Sequence, residues 1–363
     1  MNKLPLVKPF LPPKRVLINA ISEVLYSDYI AEGEAVKEFQ RKFSMIIGNP
    51  FSLPVSSGTA ALHIALILCG VTNNDEVIST ALTSEATNIS ILMTGAKVIF
   101  ADIDINNGLI SPDNIEKCIT KNTKAIVVVH YAGMICDMDR INEISIKYNI
   151  PVIEDAAHSF LGKYNGKYIG NNSRFTIFSF QAIKHMTTID GGMLCCTKES
   201  DYIKAKRIKW FGLDKDVPRL QNNITQLGYK YNMNNVTATI GIKQLDYLES
   251  NVMKYIKNGL YLDEQLKDYS GVKIVKYNNN TSQAYWLYTL LVENREGFIK
   301  KLEEQGISAS PLHLRNDKHD IFNNKNVLSN LDYFYERMVH IPCGWWMCKK
   351  DIDRMISVIK SGW

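Results

Sequence analysis

The sequence predicts an α/β fold with a large domain, in which helices cover both faces of a mostly parallel sheet, and a smaller C-terminal α/β domain. Strand-like and helix-like patterns alternate between residues 51 and 155, as they do when helices connect parallel strands. Polar residues follow several strand-like segments directly, which indicates ligand chemistry at the carboxyl edge of the sheet. Since 363 residues exceed the usual size of one core, we expect a large domain over residues 1–250 and a small one over 251–363.

Hydrophobic periodicity places the elements of the large domain. The expected strands are 51–55, 76–79, 97–101, 124–130, 151–155, 175–180 and 193–197. The expected helices are 15–25, 33–47, a long apolar helix that opens at the turn 56–59, 87–93, 112–119, 139–148 and 199–210.

A polar, irregular segment at 218–231 and a helix from 236 to about 269 lead into the small domain. The small domain is expected to contain strands at 272–276 and 285–292 and helices at 295–305, 331–339 and 350–359.

The composition indicates an ordinary globular protein with a small-molecule ligand. Apolar residues make up 46% of the chain, charged residues 22%, and the formal net charge is +5. No block of five like charges occurs, so we expect no nucleic-acid partner, whereas an anionic substrate is compatible with the mild positive charge.

The seven cysteines are odd in number and lack the paired spacing of a zinc site, so we expect reduced thiols and no metal. No run of 18 apolar residues occurs, and residues 1–6 lack the apolar core of a signal peptide. These observations predict a cytoplasmic protein without a membrane partner.

Lys184 lies on the irregular connection between the strands expected at 175–180 and 193–197. Such a connection can direct one side chain into a cleft. A partly buried amine has a lowered pKa and can attack a carbonyl to form a Schiff base. The alternative is a surface lysine in a hairpin.

Two turns at strand ends add polar groups to the same edge. Ser57, Gly58 and Thr59 open a helix after a strand, where free backbone amides can hold a phosphate, although helix capping alone would also explain the turn. Asp155 ends another strand and is followed by His158; a strand-terminal aspartate can likewise be only a cap. The dinucleotide and phosphate-loop fingerprints are absent.

Pyridoxal phosphate needs an amine, a carboxylate facing its ring nitrogen and a phosphate cradle. Six segments of the sequence, in this order, resemble the sugar-nucleotide aminotransferases, the DegT-type branch of the fold type I pyridoxal-phosphate enzymes. They are Ser56-Ser-Gly-Thr-Ala-Ala-Leu-His, Glu154-Asp-Ala-Ala-His158, Phe178-Ser-Phe-Gln-Ala-Ile-Lys184, Gly191-Gly192, Gly228-Tyr-Lys-Tyr-Asn-Met233 and Gly241-Ile-Lys-Gln-Leu245.

The resemblance implies pyridoxal phosphate as the cofactor, with pyridoxamine phosphate as the intermediate form. It implies that Lys184 is the Schiff-base lysine and general acid/base, that Asp155 faces the pyridinium nitrogen, and that His158 lies against the ring or its 3′ oxygen. The phosphate would be held at the turn, by the amides of Gly58 and Thr59, and by the hydroxyl of Ser179.

The family is dimeric or larger, so the resemblance also implies a homodimer whose active sites are shared across the interface. The segment 228–233 would reach the neighbouring site. Here the usual Asn and Arg of that segment are replaced by Lys230 and Asn232. A second departure is that the segment 83–87 carries no aromatic residue to stack on the ring.

The implied reaction transfers an amino group from glutamate to a keto sugar nucleotide. We expect a nucleoside-diphosphate 4-keto-6-deoxyhexose aminated at C-4, for lipopolysaccharide or O-antigen-type amino-sugar biosynthesis. His313 and Arg315 lie where relatives place substrate contacts, although a loop that pairs with surface carboxylates would also explain them. Asn232 and His185 are further candidates for substrate contact.

Three alternatives remain open at this point. The first is a 3-keto sugar as the acceptor. The second is a dehydratase on the same scaffold, which in some relatives has histidine at the lysine position. The third is a sensor that binds the cofactor without turnover. Such a protein would normally add a DNA-binding module, and the chain before residue 50 is expected to be too short for one.

Overall fold

The computed structural model describes residues 3–363; the first two residues of the expected large domain lie outside it. A seven-stranded sheet forms the centre of the molecule, in the order β1-β9-β8-β5-β4-β2-β3. Its strands are β1 (Ser52–Val55), β2 (Glu76–Thr80), β3 (Lys97–Ala101), β4 (Thr123–Val129), β5 (Val152–Asp155), β8 (Phe175–Ser179) and β9 (Gly192–Cys196).

The five strands from β3 to β8 are mutually parallel, and β9 runs antiparallel to both of its neighbours, β8 and β1. Strands β1, β5 and β8 therefore end at the same edge of the sheet. The mostly parallel α/β fold expected from the alternating pattern is confirmed.

Eleven α-helices lie among the described residues. They are α1 (Lys14–Leu25), α2 (Glu34–Ile47), α3 (Gly58–Leu68), α4 (Glu85–Leu92), α5 (Pro112–Cys118), α6 (Met138–Tyr148), α7 (Glu199–Ile208), α8 (Asn235–Leu266), α9 (Arg295–Glu304), α10 (Ser329–Arg337) and α11 (Lys349–Lys360). None of these helices, within residues 3–363, combines the length and apolar character of a membrane span.

Helix packing follows the sequence pattern. In α2 the buried residues Val36, Phe39, Phe43 and Ile47 recur three or four positions apart, which gives one apolar stripe toward the core. In α3 eight of the eleven residues are buried, so this helix lies inside the large core beside the sheet. Its first turn is thereby held against the ends of the strands.

Small sheets complete the fold. Strands β10 (Lys273–Ile274), β12 (Tyr288–Leu291) and β13 (Met338–Ile341) form an antiparallel sheet. Strands β6 (Lys163–Tyr164), β7 (Lys167–Tyr168) and β11 (Thr281–Ser282) form another.

The long helix α8 passes through the predicted domain boundary at residue 250. Leu248 and Val252 pack in the large core, whereas Tyr255 and Leu262 pack in a second core with β12, β13, α9 and α11. Helix α8 passes from the large core to the second core between Val252 and Tyr255, close to residue 250. The exact domain boundary stays a prediction, because this one helix packs in both cores. Leu4 also packs in the second core, so that core includes residues from both ends of the chain.

One predicted helix extends too far, and the strand that follows it was not predicted. The helix expected at 331–339 ends at Arg337, and Met338–Ile341 form strand β13, paired with β12 in the register Tyr288↔Ile341. The buried residues Leu331, Phe334 and Met338 are spaced three and four apart. Because helical periodicity continues into the first strand residue, periodicity alone cannot locate the end of the helix.

Candidate active site

The ends of β1, β5 and β8 surround a cavity of about 330 Å³ at the carboxyl edge of the large sheet. Eight of the site residues predicted from the sequence line it. They are Ser57, Gly58, Thr59, Asp155, His158, Ser179, Lys184 and His313. The topology thus brings together residues from four separate parts of the chain, 57–59, 155–158, 179–184 and 313.

Lys184 lies in the turn segment after β8, where its amide donates to the carbonyl of Gln181 at 3.0 Å. Part of the side chain stays accessible through the cavity, but protein surrounds the amine. This desolvation lowers the pKa of Lys184 to about 8, although the Asp155 carboxylate favours the charged form. The amine is still mostly protonated at pH 7, but a far larger share of it than of an ordinary lysine is uncharged and can act as a nucleophile.

Asp155 is held by two donors at the end of β5. Its carboxylate accepts hydrogen bonds from the Ala157 amide at 3.0 Å and from the Thr87 hydroxyl at 2.8 Å. Burial raises the pKa of Asp155, while the two hydrogen bonds and the nearby Lys184 ammonium oppose the increase. A buried carboxylate in this position is suited to pair with a cationic group of a ligand.

His158 is fixed as a neutral imidazole. The Ala132 amide donates to its Nδ1 at 3.3 Å, which places the ring proton on Nε2. Its ring stacks on Trp286 with centroids 3.9 Å apart. Burial holds the pKa of His158 well below its usual range, so the side chain can donate one hydrogen bond from Nε2 to a ligand.

The start of α3 forms an anion cradle. The Ser57 hydroxyl accepts from the Ala60 amide at 3.0 Å, so the amides of Gly58 and Thr59 precede the intrahelical pattern and remain available. A Cβ atom at Gly58 would lie 3.0 Å from Cβ of Ser179. Glycine therefore lets the first turn of α3 approach the end of β8, where the Ser179 hydroxyl adds a further donor.

These groups fit pyridoxal phosphate. An amine, a buried carboxylate and a helix N-terminus line one cavity, and its volume of about 330 Å³ is within the range of small-molecule sites. Lys184 would bind the aldehyde carbon, Asp155 the ring nitrogen, and the turn at Gly58 with Ser179 the phosphate. No group of three or more potential metal ligands occurs within residues 3–363.

His313 lines the cavity from the small-domain side. A carboxylate oxygen of Glu85 lies 3.8 Å from its Nδ1, and its Nε2 is buried without a hydrogen-bond partner among the described residues. Burial lowers the pKa of His313 despite the Glu85 charge. His313 is therefore better suited to a hydrogen bond than to holding a diphosphate by charge.

Arg315 does not line the cavity. It is buried, and its guanidinium donates to Asp317 at 2.7 and 2.8 Å and also to Asp332. The loop therefore pairs with carboxylates, as the alternative reading of the sequence expected, but the side chains of Arg315 and Asp317 are both buried rather than at the surface. The substrate contact expected for Arg315 stays a prediction, and its placement does not support it.

His185 and Asn232 also lie outside the cavity lining. The imidazole of His185 contacts the carbonyl oxygen of Ala284 at 3.0 Å, and Asn232 forms a bridge with Val55. The substrate contacts expected for these two residues likewise stay predictions.

Lys230 is exposed and outside the lining, on a segment attached to the large domain. The Tyr231 carbonyl accepts from the Ser56 amide at 2.7 Å, and the Tyr231 hydroxyl lies 3.1 Å from Nδ1 of His63 on α3. The segment thus lies next to the anion cradle, while the Lys230 side chain is directed to the surface.

Sequence reasoning missed Thr87 and Trp286. Thr87 lies in the segment 83–87, which carries no aromatic residue, and its hydroxyl reaches the carboxylate of Asp155. Trp286 donates a hydrogen bond to the carbonyl of Ile183, which is 103 positions away in the sequence. No local pattern signals such a contact, because it depends on how the small domain is placed.

Comparison with known proteins identifies the family. The DegT/DnrJ/EryC1/StrS aminotransferase family matches residues 14–360. The uncharacterized protein MJ1066 of Methanocaldococcus jannaschii is 34% identical over 375 residues, with 97% of each chain covered.

Solved structures of related proteins match the whole fold, and two of them illustrate the likeness. AtS13 from Actinomadura melliaura has a TM-score of 0.97 at 32% identity and covers 100% of both chains. The sugar aminotransferase CalS13 from Micromonospora echinospora has a TM-score of 0.96 at 30% identity and covers 99% of this chain and 100% of its own.

The family match and the two structures agree with the resemblance carried by the motifs. The fold is that of the fold type I enzymes, and the cofactor is pyridoxal phosphate. The chain belongs to the DegT/DnrJ/EryC1/StrS aminotransferase family and is a pyridoxal-phosphate-dependent aminotransferase.

Proposed function

We propose that this enzyme transfers an amino group to a keto sugar nucleotide, with Lys184 as the residue that attaches the cofactor and shuttles the proton. The observation that carries the proposal is the Lys184 amine, with a pKa lowered to about 8, in the same cavity as Asp155 and the free amides of α3. The likeness to the sugar aminotransferase CalS13 and the motif resemblance support a sugar as the acceptor.

Each residue has a distinct task. Bound pyridoxal phosphate supplies a carbonyl carbon that accepts amino groups and a ring that withdraws electrons. The Lys184 amine would accept the proton that leaves the substrate carbon and, as the ammonium, would return it later in the reaction. Asp155 favours a positive charge at the ring nitrogen, His158 donates from Nε2, and Gly58, Thr59 and Ser179 hold the phosphate.

The proposed acceptor is a nucleoside-diphosphate 4-keto-6-deoxyhexose, aminated at C-4, and the proposed donor is glutamate. The choice of sugar, carbon and donor rests on the family resemblance. Binding energy from the nucleotide would position the ketone without contacting the reacting carbon. A cytoplasmic role in lipopolysaccharide or O-antigen-type amino-sugar biosynthesis would follow from such a product.

We expect glutamate-dependent release of 2-oxoglutarate with a 4-keto sugar nucleotide, and less with the 3-keto isomer. Removing the nucleotide should lower kcat/KM strongly, because remote binding energy is lost. The measurement is a coupled assay for 2-oxoglutarate with the two isomers and the free keto sugar. Higher activity with the 3-keto isomer would show that amination occurs at C-3. Amination of free α-keto acids, with no activity on either sugar nucleotide, would contradict the proposed sugar substrate.

A dehydratase is the nearest alternative on this scaffold. Lys184 lines the cavity, whereas the neighbouring His185 contacts the Ala284 carbonyl oxygen and lies outside the lining. The geometry therefore presents an amine at the position where the dehydratase alternative requires histidine, and this favours transamination.

We also propose a homodimer in which Lys230 reaches the phosphate site of the partner. Lys230 is exposed, and no ion pair with it occurs among residues 3–363, so its charge is available to another chain. The segment that carries it lies against Ser56, beside the cradle of its own subunit. A two-fold axis near this point would bring each Lys230 to the other cradle.

Mixing Lys184→Ala with Lys230→Ala is expected to restore activity that neither variant has alone. In a heterodimer, one of the two sites would receive both an intact Lys184 and an intact Lys230. The measurement is activity after subunit exchange, with the exchange verified by a size tag on one variant. Activity no higher than the sum of the separate variants, despite complete exchange, would contradict the shared site; Lys163→Ala in place of Lys230→Ala is the control.

A further inference from the structure

Trp286 lies where the small-domain sheet approaches the cavity. It is 1% exposed, precedes β12 and lines the cavity beside Lys184. Its indole Nε1 donates to the carbonyl oxygen of Ile183 at 2.9 Å. This hydrogen bond fixes the peptide group that joins Ile183 to Lys184.

The indole ring contacts both Lys184 and the neutral imidazole of His158. The amine of Lys184 lies 4.3 Å from the ring centroid, well within the range of a cation–π interaction. The imidazole of His158 stacks on the indole with centroids 3.9 Å apart and planes inclined by 19°. One side chain therefore contacts the backbone next to Lys184, the amine itself and His158.

The segment around Trp286 is anchored on its other side. The hydroxyls of Tyr285 and Tyr288 donate to the carboxylate of Asp263 on α8, at 2.6 and 2.8 Å. The Leu287 amide donates to the carbonyl of Ala132 at 3.2 Å, and the Ala132 amide holds His158. The position of the indole is thus determined by hydrogen bonds to both domains.

We propose that Trp286 is a positioning residue for Lys184, which orients the lysine through the Ile183 carbonyl and shields its amine from water with the indole ring. This inference rests on the role proposed for Lys184. It assigns the small domain a direct part in arranging the catalytic amine, in addition to any part in binding substrate.

The groups around Lys184 permit a pH-resolved test. The titratable groups that interact with it are Asp155, His158, His185 and His313. Burial lowers the pKa of His185 to about 4 and lowers those of the other two histidines. The three imidazoles are therefore neutral near pH 8, and chemical labelling of Lys184 itself reports the titration of the lysine.

Two substitutions separate the two contributions of the indole. Trp286→Phe keeps an aromatic ring but removes the Nε1 donor, so the lysine is shielded but less well oriented. Trp286→Ala also admits water. Loss of the ring removes a cation–π contact, which lowers the pKa of Lys184, and relieves desolvation, which raises it. Because desolvation is the main cause of the low pKa, we expect a net rise of about one unit or more.

The experiment measures Lys184 itself. In cofactor-free protein, acylation of Lys184 across pH is quantified by peptide mass spectrometry; attachment of added pyridoxal phosphate is followed by borohydride trapping. We expect both variants to attach the cofactor about tenfold more slowly or worse, and only Trp286→Ala to shift the labelling midpoint upward. Trp345→Phe is the matched control, since its Nε1 donates to the Lys8 carbonyl outside the cavity.

The possible results are distinguishable. Wild-type attachment rates in both Trp286 variants, with an unshifted labelling midpoint, would overturn the inference. If Trp286→Ala does not fold, the test is the attachment rate of Trp286→Phe: slower attachment supports the inference, and a wild-type rate overturns it. Trapped cofactor on a lysine other than Lys184 in the wild-type protein would instead overturn the proposed role of Lys184, and the inference with it.

Discussion

Lys184→Ala is expected to lower kcat by about 10²-fold or more, because a positioned general acid/base contributes at least that factor and no other lysine lines the cavity among the described residues. The rate is measured with saturating glutamate and the sugar nucleotide that the wild-type enzyme accepts. Lys184→Arg tests whether a positive charge alone is sufficient. It keeps a cation, but a guanidinium is always protonated and cannot attach the cofactor. Both variants should be inactive.

The fold should survive this substitution. The pKa of Lys184 is lowered to about 8, so folding disfavours its charged form, and below that pH the ammonium reduces the stability of the cofactor-free protein. Removing it should leave the thermal midpoint unchanged or higher near pH 7. Lys163→Ala, at a lysine outside the cavity, is the control. A Lys184→Ala enzyme with more than about a hundredth of the wild-type rate would contradict the proton-transfer role.

Much of the site was predictable because it is encoded locally. The strand ends, the turn at Gly58, Asp155 and Lys184 are each marked by a change from an apolar run to a polar or glycine-rich turn. A parallel sheet then brings such turns to one edge, whatever their separation in the sequence. The eight predicted residues that line the cavity all follow from this rule or from the motif resemblance.

The surroundings of Arg315 and Trp286 depend on side-chain packing, which the sequence does not show. Arg315 was expected to meet substrate, but Asp317 lies two positions away and satisfies the guanidinium with two hydrogen bonds. A sequence shows that an arginine and an aspartate are near each other, but not which way their side chains point. The same limit applies to Trp286, whose contacts all come from other elements.

The end of α10 shows a different limit. The apolar spacing of Leu331, Phe334 and Met338 suits a helix, and only pairing with β12 makes Met338–Ile341 a strand. Tertiary pairing outweighs local periodicity there. The domain boundary is difficult to predict for a similar reason. Helix α8 continues through it, and the helical pattern of apolar residues does not show that the helix packs first in one core and then in the other.

Asp155→Asn is expected to reduce activity by several orders of magnitude while weakening cofactor binding less. Asparagine keeps the shape, and its amide oxygen can still accept from Ala157, but the negative charge that favours a protonated ring nitrogen is lost. The loss of activity should therefore be smaller at low pH, where the ring nitrogen is protonated more readily without a neighbouring carboxylate. The measurements are kcat over a pH series and the cofactor dissociation constant, with Asp113→Asn at the surface as the control.

The thermal stability of Asp155→Asn shows whether a loss of activity comes from the reaction or from a damaged fold. Burial raises the pKa of Asp155 in the folded protein, so its carboxylate reduces stability at any pH above the raised value, and this cost disappears as pH falls below the ordinary range of aspartate. Cofactor-free Asp155→Asn should consequently unfold at the same or a higher temperature than the wild type at pH 7. A clearly lower midpoint would show that the carboxylate is a structural cap, and normal turnover would show that another acid faces the cofactor.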